Sequence, residues 1–202
     1  MHEVTKLDDL LALYGRSPEG ALTKEQAVIG EHYRSLIEAS PFCALATTGP
    51  GGLDCTPRGD APGFVKVIDE RTLEMPDRKG NNRLDSLRNI LDDSNVALLF
   101  LIPGRNETMR VNGQAVITTD PVTLEAHAVD GKLPATVVRV AVDTCYFQCG
   151  KAPMRSNLWN PAAWADISEL PTTGAISASF RDGVDVADYD EKLEQNLRND
   201  MF

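Results

Sequence analysis

Phe42-Cys43-Ala44-Leu45-Ala46-Thr47-Thr48, then Gly49-Pro50-Gly51-Gly52, then Leu53-Asp54-Cys55-Thr56-Pro57, is the stretch that decides the architecture. The first run reads as a buried strand, the Gly/Pro tetrapeptide as a turn, and the last run as the returning hairpin partner. A hairpin commits the chain to antiparallel pairing, because a parallel neighbour needs a long crossover connection.

Upstream of Phe42 the apolar period is helical. Residues 4–14 place Val4, Leu7, Leu10, Leu11 and Tyr14 on one side, and Gly15 with the turn at 17–20 ends that helix. Thr23-Lys24-Glu25-Gln26 has the capping-box form and predicts a second helix to about Ala39, with Ile29, Tyr33, Leu36 and Ile37 inward. Ser40-Pro41 stops it. The two helices read as an N-terminal packing element.

Downstream the strands continue. Residues 64–68 and 72–75 read as strands around the turn at Asp69-Glu70-Arg71. Residues 96–102 are almost wholly apolar, which predicts a strand covered on both faces. Residues 108–118 form a long strand with Gly113 marking a bulge. A short helix begins at Pro121 with Leu124 and Ala128 inward. Residues 136–147 alternate, Val138, Val140 and Val142 facing one way and Val137, Arg139, Ala141 and Asp143 the other. The tail at 187–198 is charged and helix-forming, with a thin stripe at Leu193 and Leu197. Strands outnumber helices and arrive as hairpins, so the pattern predicts an antiparallel sheet or closed barrel with helices outside, not a doubly wound fold. One domain spans 1–202: helices over 1–40, the barrel and site over 41–159, and a C-terminal extension over 160–202.

The chain is acidic, with a formal net charge of −10 and a sequence pI near 4.7. That argues against nucleic acid and anionic membrane as partners. The longest apolar run is too short to span a bilayer. Met1-His2-Glu3-Val4 carries no secretory pattern, so a cytoplasmic location is expected. Cys43 sits in the apolar strand and reads as core. Cys145 and Cys149 are separated by three residues, not the two of zinc hooks and redox pairs. Three scattered histidines, His2, His32 and His127, give a metal cluster little to build on.

Against this acidity one turn stands out: Met75-Pro76-Asp77-Arg78-Lys79-Gly80-Asn81-Asn82-Arg83, leading into a helical pattern at Leu84, Leu87, Ile90 and Leu91. Asn81 or Asn82 suits the N-cap. A helix start beside arginines and a lysine is a seat for a phosphate; taken alone the stretch reads first as a solvated turn before a capped helix, and the rest of the chain shifts the reading toward the phosphate seat. Two further cation groups flank Gly or Pro: Arg58, and Lys151 with Arg155. Trp159, one helical turn beyond Arg155, reads either as core packing or as a cover for an aromatic ligand. Neither G-x-G-x-x-G nor G-x-x-x-x-G-K-[ST] is present.

Four blocks in this order and spacing, Thr56-Pro57-Arg58-Gly59-Asp60, the 76–83 turn, Met109-Arg110-Val111-Asn112-Gly113 and Cys149-Gly150-Lys151-Ala152-Pro153-Met154-Arg155-Ser156, resemble the FMN-binding, pyridoxamine 5′-phosphate oxidase-like split-barrel flavoproteins, in particular a bacterial branch without an assigned role. The resemblance implies a mainly β, α+β fold: a six-stranded antiparallel split β-barrel with peripheral helices. It implies FMN at the interface of a homodimer and a small-molecule substrate. It assigns Arg58, Arg78, Lys79, Asn82 and Arg83 to the phosphate and ribityl chain. Asp60, Pro76 and Asp77 line the flavin, and Lys151, Arg155 and Trp159 form the partner subunit's wall. It assigns no catalytic residue and no metal ligand. Where the true oxidases carry Arg-Gln-Val-Arg, this chain has Glu107-Thr108-Met109-Arg110, and no late Arg-Leu block follows Trp159. The implied activity is therefore FMN-dependent oxidation or reduction of something other than vitamin B6. A non-catalytic flavin- or haem-binding sensor, with His127 as axial ligand, is the alternative on the same scaffold.

Overall fold

The computed structural model describes residues 3–199; His2 lies outside them. Its strands are β1 (Phe42–Gly49), β2 (Gly52–Gly59), β3 (Lys66–Asp69), β4 (Thr72–Asp77), β5 (Asn95–Leu101), β6 (Thr108–Thr118) and β7 (Thr136–Gln148). They make one sheet, in the order β2-β1-β5-β6-β7-β4-β3, with every neighbouring pair antiparallel. The sheet has seven strands where six are expected, the short β3 at one edge making the difference. The 42–57 hairpin pairs in register from Phe42↔Gly59 to Gly49↔Gly52.

The sheet is strongly curled. Four strand-to-strand steps separate β1 from β4, about 19 Å if the sheet were flat at ~4.8 Å per step. Yet the Cys43 Sγ on β1 lies 3.9 Å from the Met75 Sδ on β4. No ladder joins these strands, so the barrel is split and side chains alone close its seam. The inward positions of each strand fill it, with Leu45, Leu73, Met75, Leu98, Phe100, Met109 and Val111 all fully buried. In β5 only alternate residues, Val96, Leu98 and Phe100, are buried, while the outer Ala97, Leu99 and Leu101 are half-covered; the expectation of two closed faces is corrected to one. The bulge expected at Gly113 is present between Asn112 and Gly113. A Cβ there would sit 2.1 Å from the Ala141 carbonyl oxygen, so the close strand approach requires glycine.

The N-terminal helices depart from expectation. Helix α1 (Leu7–Tyr14) forms but buries none of its residues, and its apolar side, Leu7, Leu10, Leu11 and Tyr14, stays exposed. The helix read over 23–39 forms only in its later part, as α3 (Glu31–Glu38), and the turn read at 17–20 instead opens a separate short helix, α2 (Glu19–Leu22). Between them the backbone of Gln26 exchanges hydrogen bonds of 2.9 and 2.8 Å with Cys145 on β7, and the Ile29 N–H donates to the Glu70 carbonyl at 2.7 Å. Tertiary pairing thus outcompetes a local capping box, and the Gln26 side chain donates to the Thr23 carbonyl instead. Ile29 and Ile37 still point into the core, as the spacing predicts.

Helix α4 (Asp85–Asp92) packs against β1, the Asn89 amide donating to the Thr47 hydroxyl at 3.0 Å. Helix α5 (Pro121–Ala126) is capped by the Asp120 carboxylate; it buries Thr123, with Leu124 half-buried. Helices α6 (Lys151–Arg155), α7 (Thr173–Ala178) and α8 (Val186–Asn199) follow, α7 and α8 packing on each other where Gly174 meets Asp190. Among the described residues no helix is long and apolar enough to cross a membrane.

Candidate functional site

The seam of the barrel is polar at one end, and a cavity of about 530 Å³ opens there, a size typical of small-ligand sites. Its walls come from the end of β2, the turn after β4 and the first turn of α4. Arg58, Arg78, Lys79 and Arg83 supply four cations, against the carboxylates of Asp54 and Asp85. Cations therefore outnumber anions two to one here, in a chain whose total is −10.

Local sequence explains the arrangement. Asp77 is the last residue of β4, paired with Thr136 and with its side chain buried, and the turn starts after it. Its Oδ1 accepts from the Asn81 amide at 3.0 Å and lies 3.8 Å from the Arg58 guanidinium. Asn81 Oδ1 in turn accepts from the Leu84 N–H at 3.2 Å. This closes the turn as a loop of side-chain bonds, with Gly80 at φ +106° giving the reversal. The N-cap is neither asparagine but Leu84, in the left-handed region at φ +59°. The positive end of α4 still opens on the cavity, since Asp85 and Ser86 of its first turn line it.

Arg78 is held from behind. Its Nε donates to Asp60 Oδ2 at 2.7 Å and its Nη1 to the His127 carbonyl at 2.8 Å. The Asp60 and Asp77 carboxylates thus stand behind the wall and orient Arg78 and Arg58; neither aspartate is among the cavity's lining residues, whereas Pro76 is. Arg83 is largely exposed, and its 2.6 Å bond to Asp85 raises its pKa further. Asn82 lines the rim. Lys151 and Arg155 are exposed on α6, and the Trp159 indole donates to the Arg105 carbonyl at 2.7 Å. None of the three reaches the cavity within this chain.

Sequence reasoning missed two layers. Phe64, Asn81 and Ser86 also line the cavity; from sequence the first two read only as strand and cap. Behind Arg78 lies a cluster of the buried Glu74 and His127 with Arg139, whose side chain is 42% exposed. His127 Nε2 is 3.1 Å from Glu74 Oε2, and Arg139 donates to Glu74 Oε1 through Nε at 2.9 Å and Nη2 at 2.7 Å. Burial lowers the His127 pKa, so the ring is neutral at physiological pH. With its side chain 1% exposed and bonded to Glu74, His127 does not present itself as an axial haem ligand. The alternation that placed Arg139 on an outward face was visible in sequence; its cross-strand partner Glu74 was not.

Of the cysteines, Cys43 and Cys145 are buried and Cys55 and Cys149 exposed. Desolvation pushes the Cys43 thiol up to about 12 and the Cys145 thiol to about 11. Among the described residues no group of three or more His, Cys, Asp or Glu side chains is placed to hold a metal ion.

Comparison with known proteins adds the following. The sequence profile of the family described as "Pyridoxamine 5′-phosphate oxidase" matches residues 29–149, more than half of the chain. No curated protein matches. Among solved structures, similarity extends to HupZ of Group A Streptococcus, at 19% identity over 59% of this chain and 93% of that one, TM-score 0.48. A protein of Lactobacillus delbrueckii, proposed to be a pyridoxamine 5′-phosphate oxidase, is similar at 20% identity over 60% and 95%, TM-score 0.47. An FMN-binding protein of Syntrophomonas wolfei is similar at 14% identity over 70% and 93%, TM-score 0.46.

Proposed function

From the premise that this chain belongs to the pyridoxamine 5′-phosphate oxidase family, which the match over residues 29–149 establishes, we propose that it is an FMN-dependent oxidoreductase acting on a small molecule. One observation carries the reading: Arg58, Arg78, Lys79 and Arg83 converge on one cavity at the barrel seam of an otherwise acidic chain. A phosphate monoester carries about 1.5 to 2 negative charges near neutral pH and fits such a seat. Arg58 and Arg78 reach it already oriented by Asp77 and Asp60, so little side-chain entropy is lost on binding. Lys79 and Arg83 add charge, Asn82 hydrogen-bonds the ribityl hydroxyls, and Pro76 lies against the ring system. Bound FMN supplies the hydride chemistry, and the chain supplies position and charge.

The substrate in this reading is not a vitamin B6 phosphate. Thr108 stands where the oxidases have glutamine, and the late Arg-Leu block is missing. The working unit is a homodimer. Lys151, Arg155 and Trp159 lie away from the cavity of their own chain, and a second copy brings them to it. The exposed apolar side chains of Leu7, Leu13 and Tyr14 on α1, and of Trp164, Ile167 and Phe180 near the C-terminus, suit burial against that copy.

The test is the visible spectrum of the purified protein. The expected result is a yellow protein that releases FMN on denaturation and bleaches with NADH or NADPH. A colourless protein that also fails to bind added FMN overturns the proposal. Bound FMN that neither nicotinamide nor any screened substrate reduces favours the non-catalytic carrier.

A further inference from the structure

We propose that Glu74, His127 and Arg139 form a brace that positions Arg78 for anion binding, with His127 acting through its backbone carbonyl. The inference rests on the reading of the seam cavity as a phosphate seat.

The geometry is specific. His127 is the C-cap residue of α5, and the last carbonyls of a helix have no partner within it. Arg78 Nη1 fills that vacancy on the His127 oxygen at 2.8 Å, and a guanidinium is favoured at this negative end of a helix. The carbonyl can fix Arg78 only if residue 127 itself is fixed. Its ring is, being buried with Nε2 3.1 Å from Glu74. Glu74 is itself pinned, because Arg139 spans it with two bonds while also donating to the Thr123 hydroxyl at 3.1 Å. Lys66 secures the same loop by donating to the Ala126 carbonyl. Arg78 is thus gripped from two independent segments, Asp60 on one side and the 127 carbonyl on the other.

A carboxylate in the fully covered strand β4 is costly unless its acceptor sites are filled. A network serving stability alone would be indifferent to what the cavity binds. A brace for Arg78 affects the phosphate and not the flavin ring, so the distinguishing quantity is the preference for FMN over riboflavin, which lacks the phosphate.

The experiment titrates the full-length chain with FMN and with riboflavin, following flavin fluorescence. Wild type is expected to prefer FMN. His127→Ala is expected to weaken FMN about tenfold, the loss of roughly one charge-assisted bond, with riboflavin changed less than about twofold on the same argument. His127→Gln, which keeps a side-chain donor toward Glu74, is expected to restore most of the preference. An unchanged preference in His127→Ala, or an equal loss for both flavins, overturns the brace. If His127→Ala does not fold, Glu74→Gln takes its place under the same criterion. A wild type that binds neither flavin overturns the cofactor reading instead. The brace is then read with inorganic phosphate by thermal shift: stabilisation of wild type but not of His127→Ala supports it, and equal stabilisation overturns it.

Discussion

Replacing Arg78 by Ala separates the structural and functional roles of the seam. The Arg78 and Asp60 side chains are 16% and 7% exposed and meet at 2.7 Å. Removing the guanidinium leaves the Asp60 carboxylate buried without its counter-charge. Breaking one partner of a buried pair costs about 3–5 kcal/mol; Asp60 also has the Ala61 N–H as donor, which places the expected loss near the lower end. For a chain of this length that lowers Tm by roughly 6–12 °C, at about 2–4 °C per kcal/mol. Adding Asp60→Asn removes the stranded charge, so the double variant is expected to recover most of that loss. Phosphate affinity behaves differently, because the recovered stability restores no cation to the cavity. Arg78→Ala and the double variant should both bind FMN about 10- to 150-fold more weakly, the equivalent of ~1.5–3 kcal/mol. Differential scanning calorimetry gives the stability arm and fluorescence titration the affinity arm. The reasoning is refuted if Arg78→Ala melts within a degree or so of wild type, or if Asp60→Asn rescues affinity along with stability.

Other predictions follow from single observations. Gly113→Ala forces a Cβ to within 2.1 Å of the Ala141 oxygen in the paired strand, and urea unfolding should show a loss of at least ~1–3 kcal/mol. Of the four thiols, only Cys55 and Cys149 should react with a disulfide reagent in the native protein at pH 8, since Cys43, at about 12, has roughly one thiolate in ten thousand there; four fast thiols would contradict the burial. The folded-state pKa of His127 lies below its unfolded value near 6.5, so the unfolded chain binds the extra proton first. Its contribution to stability is complete above that value and declines as pH falls through the folded pKa; His127→Gln should flatten this part of the stability–pH curve. In size-exclusion chromatography the protein should elute as a dimer, and charged substitutions at Leu10 and Leu11, both exposed on α1, should shift it toward monomer.

The sequence alone determined the antiparallel class, the 42–57 hairpin, β6 to the residue, the bulge at Gly113 and the cationic character of the 76–83 turn. These are local facts: period-2 alternation, Gly/Pro punctuation and charge density need no distant partner to be read. The tertiary structure decided everything that depends on residues far apart in the chain. Gln26 left its helix for Cys145, 119 positions on. Arg139 met Glu74, and the His127 carbonyl met Arg78, only because β7 and α5 pack beside β4. Curling the sheet brought Arg58 to Asp77 across a seam with no ladder. Such contacts carry no periodic signature, because the pairing that makes them is a property of the closed fold and not of any segment within it.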